Sequence, residues 1–177
     1  MINNSRGGHR VVGSLRASDG VGVVRMEDRY DTDIDDLWSA LTDPTRLARW
    51  VAQVHGDLCI GGEFHARFTS GWQGPGRVDS CEPPRSLQVT LSPGDEDETV
   101  IDARLFGEGA STRLVIEERG FPLSELAPHG AGWQAHVEDL AAHLADRESL
   151  DWGRRWRELT PTYRVLAESK QSSPPGS

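Results

Sequence analysis

Three histidines recur every seven residues near the end of the chain, at His129, His136 and His143, and Asp139 lies on the same predicted helical stripe. Imidazole and carboxylate groups are common zinc ligands and common proton carriers. Two helical turns separate His136 from His143 by roughly 10 Å, whereas zinc–nitrogen bonds are about 2 Å long. The two histidines therefore cannot share one ion, and the stripe is predicted to be a solvated helix flank.

The other residues able to bind a metal or act as nucleophiles follow no recognised spacing. His55, Cys59, His65 and Cys81 do not match a zinc motif. The chain also lacks the G-x-S-x-G nucleophile elbow and the phosphate-binding loop. The sequence therefore predicts no metal and no cofactor, and it offers a single weak catalytic candidate.

That candidate is Glu118, which continues an alternation of inward-facing residues in the segment STRLVIEE. Leu114 and Ile116 precede it at a spacing of two, so an inward Glu118 would lie at the edge of an apolar space. Desolvation would raise the pKa of its carboxyl, which could orient a hydroxyl group or transfer a proton. The alternative is that the strand has ended and that Glu118 points to water.

Composition and charge narrow the class of protein. A length of 177 residues suits one domain with tails. The first residues lack the apolar segment of a secretory signal, and no run reaches the roughly 18 apolar residues of a membrane span. The two cysteines form no disulfide framework, which predicts a cytoplasmic location. The formal net charge of −9 argues against nucleic-acid binding.

A change of hydrophobic period marks the elements that must position these residues. A predicted strand over residues 23–30 is followed by two short helices, separated by Asp43-Pro44. After Gly61-Gly62 the period changes from 3.6 to 2, which predicts five further strands. A long helix is predicted from about Ser124 to Arg147. Two short helices cannot cover six strands, so the long helix should lie across the concave face of the sheet.

The two ends of the chain differ from its centre in their hydrophobic pattern. Residues 1–22 show no sustained period and are predicted to be a disordered N-terminal arm, with a disordered tail at residues 168–177. Residues 23–147 form the predicted domain. Residues 148–167 are a predicted C-terminal helical extension, which Pro161 should break or kink.

The extension carries an aromatic stripe formed by Trp152, Trp156 and Tyr163. Such a stripe needs to be buried. It either packs back on its own domain or forms a homodimer contact, because tryptophan and tyrosine are frequent at interface cores.

Five phrases in this order resemble the helix-grip superfamily, also called START-like or Bet v 1-like, in particular its Hsp90-ATPase-activator homologue branch. The phrases are LWSALTDPTRLARW, GGEF, GRVDSCEPPRSL, STRLVIEERGF and GWQAHVEDLAAHL. The resemblance covers residues 23–147. It implies an α+β helix-grip fold in which a curved six-stranded antiparallel sheet wraps around a long C-terminal helix, with two short helices between strands 1 and 2.

The resemblance also implies a cavity between sheet and helix that takes a lipid, a polyketide or another apolar small molecule. We therefore expect binding of an apolar or amphipathic ligand. A cyclase- or aromatase-like enzyme is the first alternative, and a co-chaperone-like interaction module is the second.

Strand parity predicts which side chains would contact that ligand. The sheet should contribute the inward residues Phe64, Phe68, Leu91, Ile101, Leu105, Leu114, Ile116 and Glu118. Trp133, Val137 and Leu140 should face them from the long helix, and Trp50 and Trp72 should lie at the rim of one end. Apolar residues at these spacings also form the core of most folds, so core packing is the alternative for each of them.

Overall fold

Alternating apolar residues build an eight-stranded antiparallel sheet in the computed structural model, which describes residues 11–171. The strands are β1 (Val12–Ser18), β2 (Val21–Tyr30), β3 (Ala52–Gly56), β4 (Glu63–Phe68), β5 (Gln73–Glu82), β6 (Ser86–Leu91), β7 (Thr99–Glu108) and β8 (Ser111–Pro122). Their order across the sheet is β1-β2-β8-β7-β6-β5-β4-β3. With four α-helices in the same described range, the protein is an α+β fold.

The prediction of six strands was wrong, because β1 and β3 were not recognised. Strand β1 lies in the segment predicted to be a disordered arm, and it pairs with β2 through a turn at Asp19 and Gly20, both at positive φ. Only Leu15 of this strand is buried, so the sequence shows no alternation there. Strand β3 is five residues long and, among the described strands, pairs only with β4. The first ten residues of the predicted arm lie outside the described residues.

Two short helices separate β2 from β3, as the sequence predicts. Helix α1 covers Ile34–Thr42 and helix α2 covers Pro44–Leu47. The Asp33 carboxylate accepts a hydrogen bond from the backbone N–H of Asp36, and Asp43 caps α2 through the N–H of Thr45. Caps of this kind satisfy N–H groups that the first turn of a helix leaves unpaired.

Helix α3, over Leu126–Leu144, confirms the predicted long helix to within three residues at each end. It follows a short 3₁₀ turn at Leu123–Glu125 and packs against β1 and β2. Val137 and Leu140 are buried on its inner face. The covering of the sheet by this helix therefore matches the prediction.

Helix α4, over Trp152–Gln171, packs along α3 and β1. The Tyr163 hydroxyl donates a hydrogen bond to Gln134 Oε1 at 2.7 Å, and Arg155 binds the Glu138 carboxylate through two hydrogen bonds of 2.6 and 2.9 Å. The stripe of Trp152, Trp156 and Tyr163 thus contacts its own domain, and no described contact assigns it to a dimer.

Two further expectations for this segment need correction. The helix runs through Pro161 without the expected break, and the buried residues Leu159 and Tyr163 lie on either side of the proline. It also continues to Gln171, so residues 168–171 are helical and not part of a tail. Residues 172–177 lie outside the described part of the chain.

The contact between α3 and α4 generates a prediction at Gly130. A Cβ atom at this position would lie 2.3 Å from Tyr163 Cδ1 and 3.0 Å from Leu15 Cδ2. Tyr163 is only 2% exposed, so its ring cannot move away. We expect Gly130→Ala to lower the free energy of unfolding by about 1–3 kcal/mol, measured by urea denaturation.

Gly153→Ala is the matched control, because its new Cβ atom would meet nothing closer than 3.7 Å. This variant should show no loss of stability. Equal stabilities for the two variants would contradict the packing of α4 on α3.

Candidate functional site

A cavity of about 500 Å³ lies between the inner face of the sheet, α3 and the start of α4. This volume falls within the range of small-molecule sites, about 300–1,000 Å³. Four exposed residues mark where the cavity meets solvent, and we refer to them as the mouth. They are Ser70, Asp97, Pro122 and Glu125.

Aromatic rings form most of the cavity wall. The Phe68 and Trp72 rings meet at 82° with centroids 5.4 Å apart, and the Trp152 and Trp156 rings stack with centroids 6.2 Å apart. Perpendicular and stacked pairs are the arrangements that aromatic quadrupoles favour. Six aromatic residues line the cavity, namely Phe68, Trp72, Phe121, Trp133, Trp152 and Trp156.

Glu118 lies in this wall and points inward, with only 6% of its surface exposed. Its Oε2 accepts hydrogen bonds from Trp133 Nε1 at 2.6 Å and from His129 Nδ1 at 3.1 Å. Its Oε1 accepts a third from the Thr99 hydroxyl at 2.9 Å. The alternative in which Glu118 points to water is therefore wrong.

The expected rise in the pKa of Glu118 also needs correction. Burial raises this pKa, but the hydrogen bond and charge of His129 and the hydrogen bonds from Trp133 and Thr99 outweigh burial. The pKa of Glu118 therefore lies below its usual value. An ionised carboxylate whose two oxygens already accept hydrogen bonds is a poor general acid, and its direct effect is to hold the Trp133 ring in place.

His136 is the second buried polar group of the cavity, 3% exposed. Its Nδ1 lies 3.3 Å from the carbonyl oxygen of Trp50. A carbonyl only accepts hydrogen bonds, so Nδ1 carries the hydrogen and Nε2 keeps its lone pair. Burial lowers the pKa of His136 to about 4, which leaves the imidazole neutral at neutral pH.

The prediction of a solvated stripe along α3 is wrong for both His136 and Asp139. Asp139 is 2% exposed and accepts a hydrogen bond from the backbone N–H of Leu150 at 2.8 Å. The His136 ring lies 5.3 Å from that of Trp152, centroid to centroid. The helical extension covers this flank of α3. The spacing of the histidines alone could not predict that another helix packs over them.

Trp152 contributes a buried donor to the same wall. Its indole Nε1 is shielded from solvent and has no hydrogen-bond acceptor among the described residues. Buried donors without partners are rare in folded proteins, since each costs about 1–3 kcal/mol. A bound molecule with an acceptor at this point would satisfy the N–H group.

A second cavity of about 210 Å³ lies between the sheet and helices α1 and α2. Its lining is apolar apart from Thr42 and Cys81. Phe68, Leu91 and Trp133 line both cavities, and we refer to these three residues as the partition. The partition divides the apolar space into a larger compartment, which carries the polar groups Glu118 and His136, and a smaller one.

The thirteen side chains predicted to contact a ligand divide into two groups. Leu105, Leu114, Val137 and Leu140 are buried core residues that line neither of these two cavities. The other nine line one or both, although Trp50 and Trp72 lie in different cavities and do not form one rim. These nine are Trp50, Phe64, Phe68, Trp72, Leu91, Ile101, Ile116, Glu118 and Trp133.

Two observations concern metals and membranes. Among residues 11–171, no three His, Cys, Asp or Glu side chains lie close enough together to hold a metal ion. Within the same range, no helix is sufficiently long and apolar to span a membrane.

The sequence profile of the family described as Activator of Hsp90 ATPase homolog 1-like protein matches residues 31–145. The chain belongs to this family. The match covers more than half of the 177 residues and includes α1, α3 and strands β3 to β8. The resemblance inferred from the five sequence phrases is thereby confirmed. None of the curated proteins matches this chain.

Solved structures of similar proteins share the fold of this family member. The crystal structure of CalU16 from Micromonospora echinospora is 27% identical, with a TM-score of 0.71 over 90% of this chain and 98% of that chain. Its solution structure gives 25% identity and a TM-score of 0.74, over 92% and 98% of the two chains.

DynU16, described as a protein in the dynemicin biosynthetic locus, is 29% identical, with a TM-score of 0.66. The similarity covers 75% of this chain and 49% of DynU16.

The low pKa of His136 gives a prediction for stability against pH. Between its ordinary pKa of 6.5 and the folded value of about 4, the unfolded chain binds a proton that the folded chain does not. The contribution of His136 to stability is thus complete above pH 6.5 and declines as the pH falls towards 4. We expect His136→Gln to reduce the loss of stability over this range, by up to roughly 3 kcal/mol.

Urea denaturation at a series of pH values measures this difference. His55→Gln, which changes an exposed histidine, should retain the pH dependence of the unmodified chain. NMR titration provides a direct check, because a His136 imidazole that titrates near 6.5 would contradict the assignment of a buried neutral ring.

Proposed function

We propose that this protein binds an apolar or amphipathic small molecule in the larger cavity. The observation that carries the proposal is a space of about 500 Å³ lined by six aromatic side chains. Contact with these rings removes apolar ligand area from water, at about 25 cal/mol per Å² before the entropic costs of binding. The location of DynU16 in a biosynthetic locus is in keeping with a small-molecule ligand for a relative of this kind.

Two unused hydrogen-bonding atoms would orient the ligand. Trp152 Nε1 is a buried donor without an acceptor, and His136 Nε2 retains a lone pair while Nδ1 faces the Trp50 carbonyl. The Trp152 and His136 rings are neighbours, with centroids 5.3 Å apart, so one ligand could accept a hydrogen bond from the indole and donate one to the imidazole. We therefore expect a ligand with an apolar body and at least one oxygen function.

A charge placed in the aromatic wall tests the proposal. Phe68 belongs to the partition and is half-buried, so Phe68→Asp would put a carboxylate against the ligand. We expect the Kd of the neutral fluorescent probe N-phenyl-1-naphthylamine to increase at least about ten-fold, measured by fluorescence titration, because burying an unpaired charge opposes binding.

Phe106→Asp is the matched control, since Phe106 is 40% exposed on β7 and lines neither cavity. Its affinity for the probe should equal that of the unmodified protein. Failure of the unmodified protein to bind the probe, or equal loss in both variants, would overturn the proposal.

An enzyme of the cyclase kind is a second candidate, favoured by the buried neutral imidazole of His136. Its Nε2 lone pair, next to a bound ligand, could accept a proton during a ring closure. Glu118 is less suited to this role, since it is ionised and already holds three hydrogen bonds. No observation on the described residues favours the interaction module, because the aromatic stripe of α4 is used within the chain.

Ligands that co-purify with the protein from its own host can separate the two candidates. If the protein only binds, native mass spectrometry of the unmodified chain and of His136→Gln should show the same ligand mass at different occupancy. If His136 transfers a proton in a reaction, the variant should retain a substrate that differs in mass or retention time from the product.

A further inference from the structure

We infer that the ligand of the larger cavity is an organic cation, an amphiphile that carries an amine or a quaternary ammonium group in addition to its oxygen function. This inference rests on the proposed binding function and specifies the chemical class of the ligand. It depends on two independent features of the cavity, the charge of its lining and the arrangement of its aromatic rings.

The lining contains three carboxylates and no lysine or arginine. Asp97 and Glu125 are exposed at the mouth, and Glu118 is buried deeper. The other titratable groups of the lining are two histidines, and neither cancels its net negative charge. His136 is neutral, while His129 lies against Glu118 and, when protonated, offsets only that one of the three carboxylates.

The aromatic walls provide the complementary surface for a cation. Ring faces carry negative electrostatic potential, and several rings at steep mutual angles form the cages that bind quaternary ammonium groups. Here the Phe68 and Trp72 rings meet at 82°. The Trp133 ring meets that of His136 at 66°, and Trp152 stacks on Trp156. A positive headgroup inside the cavity would thus contact aromatic side chains supplied by the sheet, by α3 and by α4.

An anionic amphiphile, such as a fatty acid, would encounter the opposite situation. Its carboxylate would find no lysine or arginine in the lining to pair with, and it would pass Asp97 and Glu125 at the mouth. The acidic turn at residues 95–98 and the formal net charge of −9 add to this repulsion. The cavity should therefore discriminate among ligands of equal size by the sign of their charge.

Three naphthalene compounds of similar size test this discrimination in the full chain. They are 2-(2-naphthyloxy)ethyl-trimethylammonium, 2-(2-naphthyloxy)ethanol and (2-naphthyloxy)acetate, which share an ether oxygen able to accept from Trp152 Nε1, and their affinities are measured by isothermal titration calorimetry. We expect the cation to bind about ten-fold more tightly than the alcohol, and the anion to bind most weakly. If none of the three binds, the proposed function itself fails. If the alcohol or the anion binds as tightly as the cation, binding stands and the inference of a cationic ligand is overturned.

A pair of double variants tests the contribution of the mouth. Asp97→Asn with Glu125→Gln removes two exposed carboxylates from the cavity lining. The control, Glu63→Gln with Glu82→Gln, removes two exposed carboxylates that line neither cavity and gives the same net charge. The mouth variant should bind the cation about five-fold more weakly and the alcohol unchanged. The control should match the unmodified protein, and equal weakening in both doubles would overturn the role assigned to the mouth.

Discussion

The hydrogen bond between Trp133 and Glu118 joins the long helix to the sheet at the point where the two cavities meet. A buried carboxylate is tolerated only when hydrogen-bond donors replace its lost hydration. Glu118 receives donors from β7, through Thr99, and from α3, through His129 and Trp133. These three bonds fix the distance between helix and sheet at this end. They also fix the Trp133 ring as a shared wall, so the division of the apolar space depends on this one charged group.

The larger cavity is assembled from residues far apart in the chain. The sheet supplies Phe68 and Phe121, α3 supplies Trp133 and His136, and α4 supplies Trp152. Helix α4 is held on α3 by the Arg155–Glu138 ion pair and by the hydrogen bond from the Tyr163 hydroxyl to Gln134. These contacts between the two helices thus help to determine that Trp152 reaches the cavity.

Hydrophobic periodicity was sufficient to predict the elements with clear alternation. It located α1, α2, α3 and the strands whose inner residues are apolar, and it gave the correct inward face of β4. It missed β1, where Leu15 is the single buried residue. Parity also separates inward from outward side chains without showing whether the space beside them is filled. For that reason Leu105 and Val137 were predicted as cavity residues although they pack in the core.

His136 shows a different limit of sequence reasoning. Its spacing from His143 argues against one metal ion shared by the two histidines, but the environment of the His136 ring depends on α4, which begins sixteen residues later at Trp152. The direction of the pKa shift of Glu118 likewise could not be predicted from the sequence. It depends on hydrogen-bond donors such as Thr99 and His129, which only the tertiary structure brings next to the carboxylate. The burial of a residue can be predicted from the hydrophobic pattern. The hydrogen bonds that offset the cost of burying a charge depend on neighbouring side chains that the pattern does not reveal.

The three members of the partition are held by unequal constraints. Trp133 is fixed by its hydrogen bond to a buried carboxylate, whereas Phe68 contacts Trp72 and His136 only through ring packing and remains half-buried. A shorter side chain at residue 68 would connect the larger and the smaller compartment without removing any side-chain hydrogen bond of the scaffold. A single substitution at residue 68 during evolution could thus allow this protein to bind longer ligands, while the backbone and the hydrogen bonds of Glu118 stay unchanged.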